Sequence, residues 1–393
     1  MSDHATLRDA IIYFSDFEHC KQLMMDLRWW DGKVKCPVCG AEKLTYLAKR
    51  RVWKCYNKHV SPTFSLKTGT IFEDSPIPLE KWLHAAWMLI NCKNGISSWE
   101  LHRGLGVTQK TAWFMLQRIR LATQDQTQDK LAGEVEVDET FIGGKARNMH
   151  ASERAEKITG RGPEGKAIVA AVLERGGTVR AQVCSTRRKP ELQAMIRENV
   201  EAGSAVYSDA LKSYEGLDDF AHQVVDHAVA YVDGNIHTNN CENFWSLLKR
   251  SLKGTYVAVE PFHLFRYIDE QAFRYNNRNM NDIERFVYVM RHIVGRRLTY
   301  KQLTGREGRN NMAGRPKTKA AGAGEADDRP PMTAEQFEAS PEFRKFNIAM
   351  RRILKVSKVE LDKRIQHAKA ASARAGNPNA PGRKRRVSET RGT

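Results

Sequence analysis

The run from Gly133 to Gly144 constrains this chain more than any other stretch. Val135, Val137, Phe141 and Ile142 give it the β-branched and aromatic content of a short strand ending in a glycine turn. Side chains alternate along a strand, so Glu134, Glu136 and Asp138 share one face while Val135 and Val137 share the other. Three carboxylates opposite an apolar face are met either by solvent or by something cationic. Two further acids, Asp209 and Glu242, favour the second.

The elements after this strand place those acids. Ala167–Leu173 and Val179–Cys184 read as two more strands joined by Gly176 and Gly177, a hairpin signal. A helix over Glu191–Val200, a strand Ala205–Tyr207 running into Asp209, another helix, a strand Gln223–Val225 and a helix Cys241–Leu252 follow. This β-β-β-α-β-α-β-α order is that of a ribonuclease H-like fold, in which acids from the first strand, the fourth strand and the late helix meet. Asp138 and Asp209 are 71 residues apart, Asp209 and Glu242 33. Three converging carboxylates repel unless divalent cations neutralise them, and hard oxygen ligands select Mg²⁺ or Mn²⁺. Two such ions suit phosphodiester displacement. Glu242, Trp245 and Lys249 form one helical stripe, which places Lys249 to hold a phosphate.

Ahead of this core lies a different chemistry. Residues 11–30 read as one amphipathic helix, and residues 31–75 as a zinc ribbon. Cys36 and Cys39 form a C-x-x-C knuckle, and Cys55 with His59 forms a C-x-x-x-H one, the four ligands that a structural Zn²⁺ requires. Cys20 is a substitute ligand. Phe64–Phe72 reads as a strand-like segment closing the ribbon. Within residues 76–123, an apolar helix over 79–92 precedes two short helices joined through Gly106, Val107 and Thr108, a helix-turn-helix pattern. Its second helix carries Gln109, Lys110, Thr111, Gln117, Arg118 and Arg120, side chains suited to phosphates and base edges. Thr108 and Arg250 complete the DNA-binding candidates. Residues 124–132 read as a linker and 133–304 as the catalytic domain.

The net charge of +18 calls for a polyanionic partner. No apolar run is long enough to span a bilayer, and the polar start does not read as an export signal, so the partner is nucleic acid rather than a membrane. Seven scattered cysteines fit a reducing, cytoplasmic compartment. The sequence is thus a multidomain α+β chain: zinc ribbon, helix-turn-helix, an α/β ribonuclease H-like core, and a partly disordered basic end. That end comprises a linker (305–332), a short helical region (333–366) and a basic tail (367–393) with Arg383, Lys384, Arg385 and Arg386. The loop Gly160–Ala167 imitates a P-loop but has Ala167 where Ser or Thr must stand, and reads as a basic loop. His237 either approaches the metals or orders its loop.

Three segments taken together, Val135–Thr140, Tyr207–Ala210 and His237–Arg250, resemble the ISXO-type insertion-sequence transposases of the DDE superfamily in bacterial mobile elements. The resemblance extends to the ribbon and the helix-turn-helix, over about residues 10–305. It implies that Asp138, Asp209 and Glu242 form a metal-binding triad accompanied by Lys249. It also implies double-stranded DNA, both terminal inverted repeats and target, as substrate, and a homo-oligomer that synapses two ends. The ribbon departs from the family pattern in ending on His59 rather than Cys, and Asn239 stands as an alternative third position to Glu242. Two other readings compete: a metal-dependent nuclease or resolvase on the same fold, and a non-catalytic zinc-dependent DNA-binding regulator.

Overall fold

The computed structural model describes residues 6–29, 31–124, 129–144, 150–157, 165–225 and 237–305. The chain divides into units 1–331 and 332–393, and every described residue lies in the first. Residues 160–164 of the expected Gly160–Ala167 loop lie outside the described residues, and the expectations for the linker, helical region and tail from residue 306 onward fall wholly outside them.

The single helix expected over residues 11–30 is two helices. Thr6 and Asp9 form a capping box that starts α1 (Leu7–Phe14), and Asp16 starts α2 (Phe17–Arg28) by accepting from the Glu18 amide. An Asp here satisfies a helix-start N–H better than it continues a helix. Next, β1 (Leu44–Leu47), β2 (Val52–Cys55) and β3 (Thr63–Phe64) form a small antiparallel sheet in that order. The strand-like segment expected to Phe72 stops at Phe64, and the chain turns. Arg28 takes the carbonyls of Leu66 at 2.7 Å and Thr68 at 2.8 Å that a longer strand would have offered to a neighbour.

Helix α3 (Leu79–Asn91) buries Trp82, Leu83, Ala86, Leu89 and Ile90. Ser97 and Glu100 form the capping box of α4 (Ser98–Leu105), left-handed Gly106 ends it, and Thr108 caps α5 (Gln109–Ala122). The first turn of α5 faces solvent in part, whereas every residue from Met115 to Ala122 is buried.

The larger sheet contains β4 (Glu134–Ile142), β5 (Ala167–Glu174), β6 (Val179–Cys184), β7 (Ala205–Asp209) and β8 (Ala221–Val225), in the order β6-β5-β4-β7-β8. A short helix, α6 (Ala151–Lys157), lies between β4 and β5, and α7 (Lys189–Asn199) between β6 and β7. The β6, β5 and β4 strands are antiparallel, while β7 runs parallel to β4 and β8 to β7. The helix expected between β7 and β8 is only a 3₁₀ turn, Lys212–Tyr214. After β8 come α8 (Asn239–Ser251), α9 (Leu264–Asn276), α10 (Asp282–Arg291) and α11 (Tyr300–Leu303). Val135 and Val137 pack with Leu192, Met195 and Ile196 of α7 on one face of the sheet. Val169, Ala171 and Leu173 pack with Phe244, Trp245 and Leu248 of α8 and Ile268 of α9 on the other. Among the described residues no helix is long and apolar enough to cross a membrane.

A buried ion pair joins α5 to α9. Arg120 Nε donates to Glu270 Oε2 at 2.5 Å with both side chains almost fully enclosed, and Arg274 and the Tyr256 hydroxyl also bind Glu270. The Arg120 guanidinium stacks on Tyr267 at 4.0 Å. Burial alone would protonate Glu270, but Arg274 and Arg120 outweigh it and keep the carboxylate ionised. Gly95 lets the α3–α4 loop pass this cluster: its φ is +80°, and a Cβ there would lie 1.8 Å from the Tyr256 oxygen. Removing one partner of a buried network strands the other charges in a low-dielectric interior. Glu270→Gln is therefore expected to lower unfolding free energy by about 3–5 kcal/mol, read by urea denaturation.

Candidate active site

The acidic face of β4 is divided between two tasks. Glu136 is fully buried and serves the fold. Its carboxylate accepts from the backbone N–H groups of Asn240 (2.9 Å) and Cys241 (3.2 Å), from the Asn240 side chain (2.8 Å) and from Arg175 Nε (2.9 Å). An anion at the N-terminus of α8 is favoured by the unpaired amides and the helix dipole. His237 Nδ1 lies 3.1 Å from the same carboxylate, and its carbonyl accepts from Arg175, so this residue belongs to the Glu136–Arg175 group. Glu134 meets Arg175 and the Tyr207 hydroxyl.

Asp138, at the far end of that face, is different. Asp138 Oδ1 accepts from the Glu139 amide and Oδ2 from the Trp245 indole, each at 2.8 Å. Among the described residues neither Asp138 nor Asp209 forms an ion pair. Oxygens of Asp138, Glu139 and Asp209 lie within 4.8 Å of one another and could hold a metal ion. Val137 pairs with Ser208 across the parallel strands, so the next residue on each chain, Asp138 and Asp209, emerges at the same sheet edge. Burial pushes the Asp138 carboxyl up to about 7, and the charges of Glu139 and Asp209 push the same way against the two hydrogen bonds. Glu139 is raised too, first by burial and then by Asp209, although the Tyr214 hydroxyl at 2.8 Å opposes this.

Two members of the expected triad thus meet, and Glu242 does not join them within that spacing. It stands half-buried on the first turn of α8, beside exposed Asn239. Glu139 takes the third place, a residue the sequence reading passed over. Neighbours on a strand point to opposite faces, and Tyr214, packed on the α7 side of the sheet, donates to Glu139 Oε2 while a carboxylate oxygen of Glu139 lies near Asp138 and Asp209 at the strand end. Lys249 is half-buried on α8. Its burial lowers its pKa while Asp138 raises it and Lys253 and Lys166 lower it, so it sits within the field of the carboxylates.

In the ribbon, the ligand atoms of Cys36, Cys39, Cys55 and His59 also lie within 4.8 Å of one another. Cys39 Sγ and Cys55 Sγ are 3.8 Å apart, and His59 Nε2 is 3.6 Å from Cys36 Sγ and 3.2 Å from Cys55 Sγ. The Ala41 backbone amide, helped by the Asn57 side chain, holds the Cys39 thiol down to about 7. Cys20 is buried on α2, where its thiol donates to the Phe14 carbonyl, and it is not among the four.

The expected DNA-binding residues separate. Thr108 and Lys110 are exposed, Thr111 is half-exposed and bonded to Thr108, and Gln109 donates to Ser98. Arg250 is exposed on α8. Arg118 is a correction: it is 4% exposed, and its guanidinium donates to the carbonyls of Leu298, Ile71 and Glu73. Gln117 and Arg120 are buried as well, bonded to Tyr267 and Glu270. Their place is in the interior, and none of the three is free to meet a phosphate there.

Residues 130–276 match the family model of the ISXO2-like transposase domain, and residues 15–57 that of the transposase zinc-ribbon domain. The two matches define the class, a transposase with an N-terminal zinc ribbon and a DDE-type domain. A Halobacterium salinarum protein, "Uncharacterized protein in transposable element ISH50", is 31% identical over 242 residues, 58% of this chain and 81% of that one. A Haemophilus influenzae "Uncharacterized transposase-like protein" is 30% identical over 105 residues, 26% of this chain and 82% of that one. The chain belongs to the ISXO2-like transposase family of insertion sequences.

The Asp138 carboxyl stands at about 7 in the fold against an ordinary 3.8. The folded form then retains a proton that the unfolded chain has released, so stability falls as pH rises from about 4 to about 7. Urea denaturation in chelator across that window is expected to show a shallower fall for Asp138→Asn than for the unaltered chain.

Proposed function

We propose that this chain is a cytoplasmic DNA transposase that binds the terminal inverted repeats of its element, hydrolyses a phosphodiester there and transfers the freed 3′-hydroxyl to target DNA. The observation that carries the reading is the meeting of Asp138 and Asp209 at the ends of adjacent parallel strands. The β6-β5-β4-β7-β8 order, antiparallel then parallel, with helices on both faces, supports a ribonuclease H-like core. The α4–α5 pair, with Thr108, Gln109, Lys110 and Thr111 at its outer end, supports a helix-turn-helix for end recognition.

Asp138 and Asp209 supply carboxylate oxygens to Mg²⁺ or Mn²⁺, and their closeness fits a site for hard divalent cations. Such ions, two per site, provide a nucleophilic oxygen at neutral pH and charge stabilisation for the departing one. Glu242 is the third ligand in this reading, with Asn239 as the alternative, both on the first turn of α8. Lys249 and Arg250 hold the scissile strand by its phosphates. Cleavage and joining share one in-line geometry, so a single cluster serves both. Synapsis of two ends requires at least two copies of the chain.

The ribbon holds one structural Zn²⁺. Metal–sulfur bonds of about 2.3 Å and metal–nitrogen bonds of about 2.05 Å in a tetrahedron place sulfurs about 3.8 Å apart and sulfur and nitrogen about 3.5 Å apart. The 3.8 and 3.6 Å separations fit those edges, while the 3.2 Å between His59 Nε2 and Cys55 Sγ is shorter than its edge. His59 thus substitutes for a fourth thiolate.

Two outcomes are expected. Asp138→Asn should abolish both end cleavage and joining of pre-cut ends, with end binding by gel shift within about twofold; retained cleavage would remove the metal assignment. A chain that cuts but never joins pre-cut ends would be a nuclease instead. Elemental analysis should find one zinc per chain, lost in Cys36→Ser together with the thermal stability of the ribbon.

A further inference from the structure

We propose that Trp245 is a positioning residue of the active site, whose indole N–H fixes the Asp138 carboxylate for cation binding and ties it to the helix carrying Lys249. The inference rests on the proposed reading of Asp138 as a metal ligand. Trp245 is 4% exposed, and its Nε1 lies 2.8 Å from Asp138 Oδ2. An indole only donates, so the bond has a fixed sense and holds best when the carboxylate is ionised. Asp138 Oδ1 is held from within β4 by the Glu139 amide. The two oxygens are therefore aimed by separate elements, and only the Trp245 bond couples the carboxylate to α8.

Packing alone does not account for the indole. The ring lies against Phe244 at 5.1 Å between centroids, inside an apolar core that by itself asks for no hydrogen-bond donor. What the indole adds is a buried donor aimed at a charged site. The opposite layer carries a counterpart, since fully buried Tyr214 donates to Glu139 Oε2 at 2.8 Å. Each of two adjacent carboxylates thus has a buried aromatic donor, one from each face of the sheet. Donors of this kind orient metal ligands, and their loss weakens metal affinity about 10–100-fold.

The test titrates the full chain with Mn²⁺ in the absence of DNA and follows free Mn²⁺ by electron paramagnetic resonance. Trp245→Phe should weaken binding at least about tenfold. Phe244→Leu, which disturbs the same core but leaves the indole bond, should stay within about twofold of the unaltered chain. Equal affinity in Trp245→Phe overturns the proposal, and so does an equal loss in both variants. Asp138→Asn separates this from the reading beneath it: if that variant binds Mn²⁺ as tightly as the unaltered chain, the ions do not sit at this cluster and both fail. Should Trp245→Phe not fold, the indole ¹H–¹⁵N spectrum of the unaltered chain decides. The resonance displaced by Asp138→Asn must also move when Mg²⁺ is added, and the absence of any indole resonance responding to both overturns the proposal.

Discussion

The carboxylate of Glu136 at the start of α8 sets the geometry on which the site depends. A buried carboxylate is costly, and here Arg175, two backbone amides and the Asn240 side chain offset that cost. The bond fixes how far along β4 the helix begins. Same-face residues on a strand advance about 6.8 Å per pair, and four residues of helix advance about 6 Å. Because these steps nearly match, a helix whose first turn is pinned at Glu136 presents Trp245, four residues after Cys241, to Asp138, two residues after Glu136. One buried bond thus determines the partner of the next acid along the strand.

The same arrangement explains why cation demand is confined to the end of the strand. Glu134 and Glu136 have Arg175 between them, and Glu136 has a helix terminus besides. Asp138 receives two neutral donors, and burial, followed by the charges of Glu139 and Asp209, raises its pKa instead of lowering it. Three carboxylates that look equivalent in the sequence therefore differ in kind. Two have their counter-charge built in, and among the described residues the third stands beside further acids with no cationic partner.

What was legible in the sequence was what local pattern determines. The alternation of Val135 and Val137 with the acids, the paired knuckles at Cys36, Cys39, Cys55 and His59, and the cap at Thr108 each depend on near neighbours. The structure shows them at the expected places. The misses depend on distant partners or on one residue's local competition. Asp16 broke a helix whose apolar spacing continued through it. Arg118 and Arg120 carry the look of a surface-facing recognition helix, and nothing near them reveals that Leu298 and Glu270, some 150–180 residues on, would enclose them. Glu139 was hidden by the alternation rule itself, which sets it on the face opposite Asp138, where Tyr214 of a 3₁₀ turn binds it.

The buried arginines of α5 bear on function through the same physics. One end of this helix, from Thr108 to Thr111, reaches solvent, while the other is built into the interior against α9 and the α10–α11 segment. Tyr256, which follows α8, binds the same Glu270 that holds Arg120. The segment that follows α8 and the helix proposed to read DNA therefore meet at one buried carboxylate. A close-packed, ion-paired joint of this kind transmits displacement better than a flexible linker does. In the proposed reading, recognition and chemistry are thus two ends of one rigid connection.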